Sequence, residues 1–417
     1  MLRLRDRPSM TDVMKSMIHL TTAALVSLTS LPGYELHEWG TFTTVAGSDG
    51  VLLHGLQREE EALPAYVRHH PGFMNHHPAF IGSFPGIPSY RGKRMPVPVK
   101  NVKVKMETPV IYFHSDKAFE AEVKVGFEGG TISQWYPERS GGETFPKPPA
   151  DAKPADRALD MSKPYRGSIE WKIDVLSPEE SRDSVLFKPD DLVQWTRARV
   201  PEANAVRNAQ GETEGFLFYR GLGHFEPGLQ TTISTDETLR IENRTGDAIP
   251  YLLIYERMTD GTHRWSEHRD LAQGKSMELK ESAFEHQGKG SFDEKLYRSL
   301  STNLAAQGLL KSEARGMVET WWHSYFAAPG LRVFWVLPDD RTDAILPLEV
   351  TPAPEKTVRV IVGRSELIRP RQESAWLTMA ASKDEEIHSQ WQMLTFNDRF
   401  GAAYQERIEA LQQQAKR

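Results

Sequence analysis

The chain has 417 residues, 39% of them hydrophobic and 26% charged, with a formal net charge of −6 and no cysteine. That length and apolar content build a sizeable core without staples and leave room for two or three domains. The missing thiols exclude cysteine nucleophiles, cysteine zinc sites and cysteine-held iron–sulfur clusters, and the acidic balance argues against a general nucleic-acid binder.

At the N-terminus, Arg3, Arg5, Arg7 and Lys15 precede an uncharged stretch from Ser16 to Tyr34, with small residues at Ser27, Thr29 and Ser30. A basic region, an apolar region and small residues before Leu31-Pro32 read as a signal peptide over residues 1–30. The stretch is too short and too rich in threonine for a membrane span, and no later segment is apolar enough for one. The expected location is therefore periplasmic or secreted.

Strand patterns follow. The first is His37–Val45, β-branched after Gly40 and closed by the Gly47–Gly50 turn. Its start resembles a zinc-binding HExxH helix but fails at Thr41. On a strand, His37 and Glu38 point to opposite faces. Phe119, Ala121, Val123, Val125 and Phe127 alternate with polar residues, as do Ile169, Trp171, Ile173 and Val175. Period-two alternation means one buried and one wet face, as in antiparallel sandwiches. Further strands are expected at Val110–Ser115, Phe216–Arg220, Leu239–Asn243 and Tyr251–Glu256. Leu331–Leu337 is apolar enough for burial on both faces. Gly129-Gly130 and Asp260-Gly261 mark turns, and the proline-rich 145–154 stretch marks a loop.

Helical patterns come later. Ser291 and Glu294 suggest a capping box before Leu296, Leu300 and Leu304, with Gly308 as the stop. A second helix is expected from Ser312 through Tyr325, and amphipathic helix from Gln372 onward. The expected class is β-rich α+β: antiparallel β-sandwich-like domains with C-terminal helical additions. The segments are a signal peptide (1–30), an N-terminal β domain (31–200), a second sandwich-like unit (205–290) and a mixed α/β region (291–417). The alternative is one continuous body whose later strands complete the first sheets.

Several strings together mark a family. HEWGTFTTVAGSDG from His37, METPVIYF from Met106, QWYP from Gln134 and FYRG from Phe218 are joined by LRVFWVLPDDRTDAILPLEV and VRVIVGR. With these the chain resembles an uncharacterised family of exported bacterial proteins, over most of its length. The resemblance implies export and a shared fold, and brings no activity with it.

The densest chemical signal is His69, His70, His76 and His77 around Pro71, Gly72 and Met74, with His54 upstream. Imidazole is the commonest ligand of zinc and copper, and methionine adds soft character. Glu319 and His323 share a helix face beside Trp321 and Trp322. Glu107 and Arg220 are charges at strand ends, where a scaffold can line a cleft. Ten tryptophans offer material for a sugar-stacking platform, although Trp171 and Trp335 fall on core faces. Gly221-Leu222-Gly223 is followed by Pro227 and not by a helix, so no nucleotide cofactor is expected; P-loop and GxSxG patterns are also missing. Asp339, Asp340 and Asp343 read as a charged turn.

Two functions compete. One is a metal-dependent (Zn or Cu) extracytoplasmic enzyme. Its metal ligands would be His37 with His69, His70, His76 and His77, its base Glu38 or Glu107, and Arg220 would hold an anionic group. The other is a non-catalytic sandwich protein for binding or scaffolding. Its partner would be a small molecule, a glycan or a protein.

Overall fold

The computed structural model describes residues 33–58, 63–64, 66–69, 99–143, 151, 159–184 and 194–416. The signal-peptide segment, most of the proline-rich loop and His70, His76 and His77 lie outside them. Among the described residues, sixteen strands join into one mixed sheet, and a separate three-stranded sheet is made of Leu229–Ile233, Leu239–Asn243 and Ser276–Leu279.

The first strand, Tyr34–Ala46, explains the sheet's plan. It is β-branched and aromatic, and nearly every residue is buried. One edge pairs antiparallel with Val104–Met106 and Val110–Ser115. The other pairs in parallel with Lys356–Leu367, from Glu35↔Lys356 to Ala46↔Leu367. A strand flanked on both edges has no wet edge, and two packed faces leave it no wet face. Its alternate residues feed two cores. Leu36 and Phe42 pack with Val123, Trp171, Ile254 and Trp335. Trp39 packs with Tyr112, Phe218, Met317 and Trp321.

The alternating segments form as expected. Phe119–Glu128 pairs with Arg166–Val175 over its whole length. Val123, Val125, Trp171 and Ile173 are buried, while Glu122, Lys124 and Lys172 face water. Gly330–Val336 lies between Ile249–Arg257 and Lys356–Leu367, and both its faces are buried because Val333 and Trp335 enter one core while Phe334 and Val336 enter the other. The first long helix is Glu294–Ala305, capped by Asp293, whose carboxylate accepts from the Lys295 and Leu296 amides. Ser291 is not the cap. Three further helices, Pro370–Ala381, Glu385–Asn397 and Gly401–Gln414, fill the C-terminus.

The architecture is β-rich α+β with C-terminal helices. The separation into sandwich-like units needs correcting: Gly33–Arg417 forms one compact unit. Leu217–Gly223 pairs with Gly130–Tyr136 and Val104–Met106, so the sheet runs straight through the boundary expected near 200. Alternation reports which face of a strand is wet and says nothing about its neighbour. No described helix is long and apolar enough to cross a bilayer.

Candidate metal centre

Strand parity places Glu35, His37, Trp39 and Thr41 on one face of the sheet. In the neighbouring strand His114 stands opposite Glu35, and Tyr112 opposite His37, so His114 shares that face. Helix Lys311–Trp321 packs above it through Met317, Val318 and Trp321 against Trp39 and Tyr112. Its first turn brings Glu313 down onto the two histidines. The carboxylate sits at the third helical position, where it accepts from the Leu310 amide at 2.8 Å, a donor that every helix start leaves without an intrahelical partner.

His37 Nδ1 lies 2.8 Å from Glu313 Oε2, and His114 Nε2 lies 2.8 Å from Glu313 Oε1. The imidazole centroids are 4.6 Å apart. One ligand atom from each of the three residues lies within 4.8 Å of the others. Glu313 is fully buried and His37 nearly so, while His114 keeps 15% of its side chain exposed.

The outer nitrogens complete the picture. His114 Nδ1 faces the Glu202 carbonyl at 3.2 Å, and a carbonyl only accepts, so this nitrogen carries a proton. His37 Nε2 faces the Glu35 carboxylate at 3.4 Å. With its outer N–H engaged by an oxygen, each ring turns its inner nitrogen to the centre. Carrying a proton, that nitrogen donates to Glu313 in the metal-free site; without one it offers a lone pair to an ion, as in histidine metal sites oriented by a second layer of acceptors. Burial works against ionisation of Glu313, but the hydrogen bonds of His114 and His37 outweigh it and hold its carboxyl at about 2. Glu35 is also shifted down, chiefly by its hydrogen bond from Lys356. Two imidazole nitrogens and an ionised carboxylate form a donor set suited to zinc or copper, and three protein ligands leave one position open.

The other expected site residues lie elsewhere. Glu38 points to the opposite face, where it accepts from the Tyr219 hydroxyl at 2.6 Å and from the Arg359 guanidinium at 2.6 Å. It serves a buried ion pair and cannot act as base at His37. Glu107 and Arg220 do come together: Arg220 donates to the Glu107 carbonyl, and Arg399 binds the Glu107 carboxylate at 2.5 Å. Burial opposes the charge on Glu107, yet Arg399, Lys105 and Arg220 bring its carboxyl down to about 2. Such a carboxylate has little proton affinity at neutral pH and makes a poor general base. The Glu107 amide binds the Thr41 carbonyl at 2.8 Å. Thr41 is four residues beyond His37, roughly 13 Å along the strand.

His69 lies on the short strand Arg68–His69, paired with Gly130–Tyr136. Three strands separate it from Tyr34–Ala46, roughly 19 Å at the usual inter-strand spacing, so it does not join His37. His54 pairs with Glu406 at 2.7 Å. The true companions of His37, namely His114 and Glu313, escaped sequence reasoning. The one signal for His114 was a titratable residue closing an apolar strand. For Glu313 it was a carboxylate in the first turn of a helix.

No protein-family model and no curated protein matches the chain. Among solved structures it is similar to the yeast delta-COP-I mu-homology domain, alone and complexed with a Dsl1 WxWxV peptide. Each alignment has 7% identity and a TM-score of 0.26, and covers 81% of this chain and 98% of that one. A likeness at that level carries no functional argument.

Proposed function

We propose that the protein binds one zinc or copper ion between His37, His114 and Glu313 and uses it in an extracytoplasmic, metal-dependent reaction. The observation behind this reading is the convergence of two imidazoles and a carboxylate within 4.8 Å under a helix start. His114, which keeps 15% of its side chain exposed, is the most solvent-accessible of the three residues, and a water or a substrate oxygen would reach the ion from its side. There the ion would act as a Lewis acid or lower the pKa of its water. The basic-then-apolar leader supports an exported protein.

A second reading has its own support. Both Glu313 oxygens already meet donors at 2.8 Å, which is what a metal-free tie between helix and sheet needs in a non-catalytic binding or scaffold protein. Elemental analysis of untagged protein, purified without chelator from the exported fraction of its native host, separates the two. We expect one equivalent of zinc or copper, lost in His37→Ala and in His114→Ala and kept in His69→Ala. Folded wild-type protein without stoichiometric metal would leave the tie as the better reading.

A further inference from the structure

The helical hairpin of Glu294–Ala305 and Lys311–Trp321 carries a groove unrelated to the metal centre. It consists of two neighbouring cavities, of about 400 and 620 Å³, that share Tyr297 and Glu319 as a common wall. One end is aromatic. Phe292 is 50% exposed, an unusual state for a large apolar ring, and lies 4.7 Å from Trp322 and 5.7 Å from Tyr297. After Trp321 the helix widens into a π-helical turn, Trp322–Phe326, an irregularity often found at functional sites. Trp321 points into the core and Trp322 stays at the groove. Its indole is held by an Nε1 hydrogen bond to the Ser291 carbonyl at 2.8 Å and by Phe326 at 5.0 Å, so the platform is set before a ligand arrives.

The other end is polar, lined by Ser301, Thr302, Arg298 and Arg315. Two of the three arginines that line the groove meet carboxylates: Glu294 pairs with Arg298 at 2.5 Å, and Glu319 lies 3.7 Å from Arg197 and accepts from the Tyr297 hydroxyl at 2.9 Å, which leaves Arg315 as the one charge in excess. We propose that this groove binds a neutral oligosaccharide, with one sugar ring stacked on Phe292, which leans on Trp322 at an interplanar angle of 51°, and further units hydrogen-bonded along the Tyr297–Glu319 wall toward Arg315. A pyranose offers an apolar C–H face and a rim of hydroxyls that both donate and accept. The groove offers fixed rings at one end and donors with acceptors at the other. A docking helix would need an apolar strip along the whole length, which this groove lacks. One cation in excess, with two carboxylates beside it, gives little purchase to a polyanion. Two cavities in line suit more than one sugar unit.

The test titrates the full-length chain with cellohexaose, maltohexaose and chitohexaose, followed by tryptophan emission and calorimetry. At least one sugar should saturate the protein, and Phe292→Ala should weaken that binding about five- to tenfold, the scale of one aromatic contact. Phe292 is half exposed, so this variant keeps the fold. Phe396→Ala, an exposed aromatic on the helix Glu385–Asn397, should leave the affinity unchanged. Lack of saturation by all three sugars overturns the proposal, as does affinity unchanged in Phe292→Ala. Saturable binding of a proline-rich peptide in place of the sugars overturns it too.

Discussion

Replacing Glu38 separates a structural ion pair from a catalytic carboxylate. Its side chain is fully buried, with Tyr219 on one oxygen and Arg359 on the other. Arg359 is itself 7% exposed; burial works against its charge, and Glu38 above all outweighs it and pushes the guanidinium pKa up. In Glu38→Gln the guanidinium keeps, among the described residues, only Asp343 as a charged partner, 2.6 Å away and open to solvent. Removing one partner of a buried pair costs about 3–5 kcal/mol. Gln retains an acceptor oxygen and Asp343 remains, so we expect the lower end, about 3 kcal/mol. Glu38→Leu should cost about 1 kcal/mol more, because the Tyr219 hydroxyl loses its acceptor. The double variant Glu38→Leu/Arg359→Met should recover most of the loss, since apolar side chains of similar volume replace buried pairs well. Urea unfolding at pH 7, followed by fluorescence and circular dichroism, measures all three. If Glu38→Gln stays within about 0.5 kcal/mol of wild type, the range of ordinary surface changes, the ion-pair assignment fails. Loss of bound metal at unchanged stability would return Glu38 to the metal centre.

Two further predictions rest on burial and charge. The Glu107 carboxyl is held at about 2, far below its ordinary 4.5, so its contribution to stability is complete above about 4.5 and fades as pH falls toward 2. Wild type should therefore lose more stability than Glu107→Gln between about pH 5 and 3, and parallel stability–pH curves would refute this. Val125→Asp puts an unpaired charge into the core and should cost roughly 3–5 kcal/mol, whereas Lys124→Ala should cost under ~0.5 kcal/mol. Equal unfolding midpoints for the two would overturn the register of Phe119–Glu128.

What was legible in the sequence was local. Alternation located Phe119–Glu128 and Arg166–Val175 because each has one wet face. The β-branched run after Gly40 marked a strand, and strand parity alone put His37 and Glu38 on opposite faces. The partners were not legible. His37 meets Glu313 across 276 residues and His114 meets it across 199, and such pairings follow from register and helix docking, not from spacing. The histidine-rich stretch drew attention because adjacency along the chain is all a sequence displays. The single mixed sheet stayed hidden for the same reason: an apolar strand does not announce whether its neighbour lies ten residues away or three hundred.

The parallel pairing of Tyr34–Ala46 with Lys356–Leu367 also orders events in time. A chain delivered from its N-terminus presents Tyr34–Ala46 long before Lys356–Leu367, since Glu35 and Lys356 are 321 positions apart. Until Lys356–Leu367 emerges, the first strand has neighbours for one edge only. Its other edge is a row of unpaired amides and carbonyls flanked by large apolar side chains, a template for aggregation. Contacts this distant along the chain form slowly, because a long loop must close before they stabilise anything. A nascent chain that stops before Lys356 is therefore a hazard rather than a half-finished domain, and quality control acting on the open edge of Tyr34–Ala46 would recognise it.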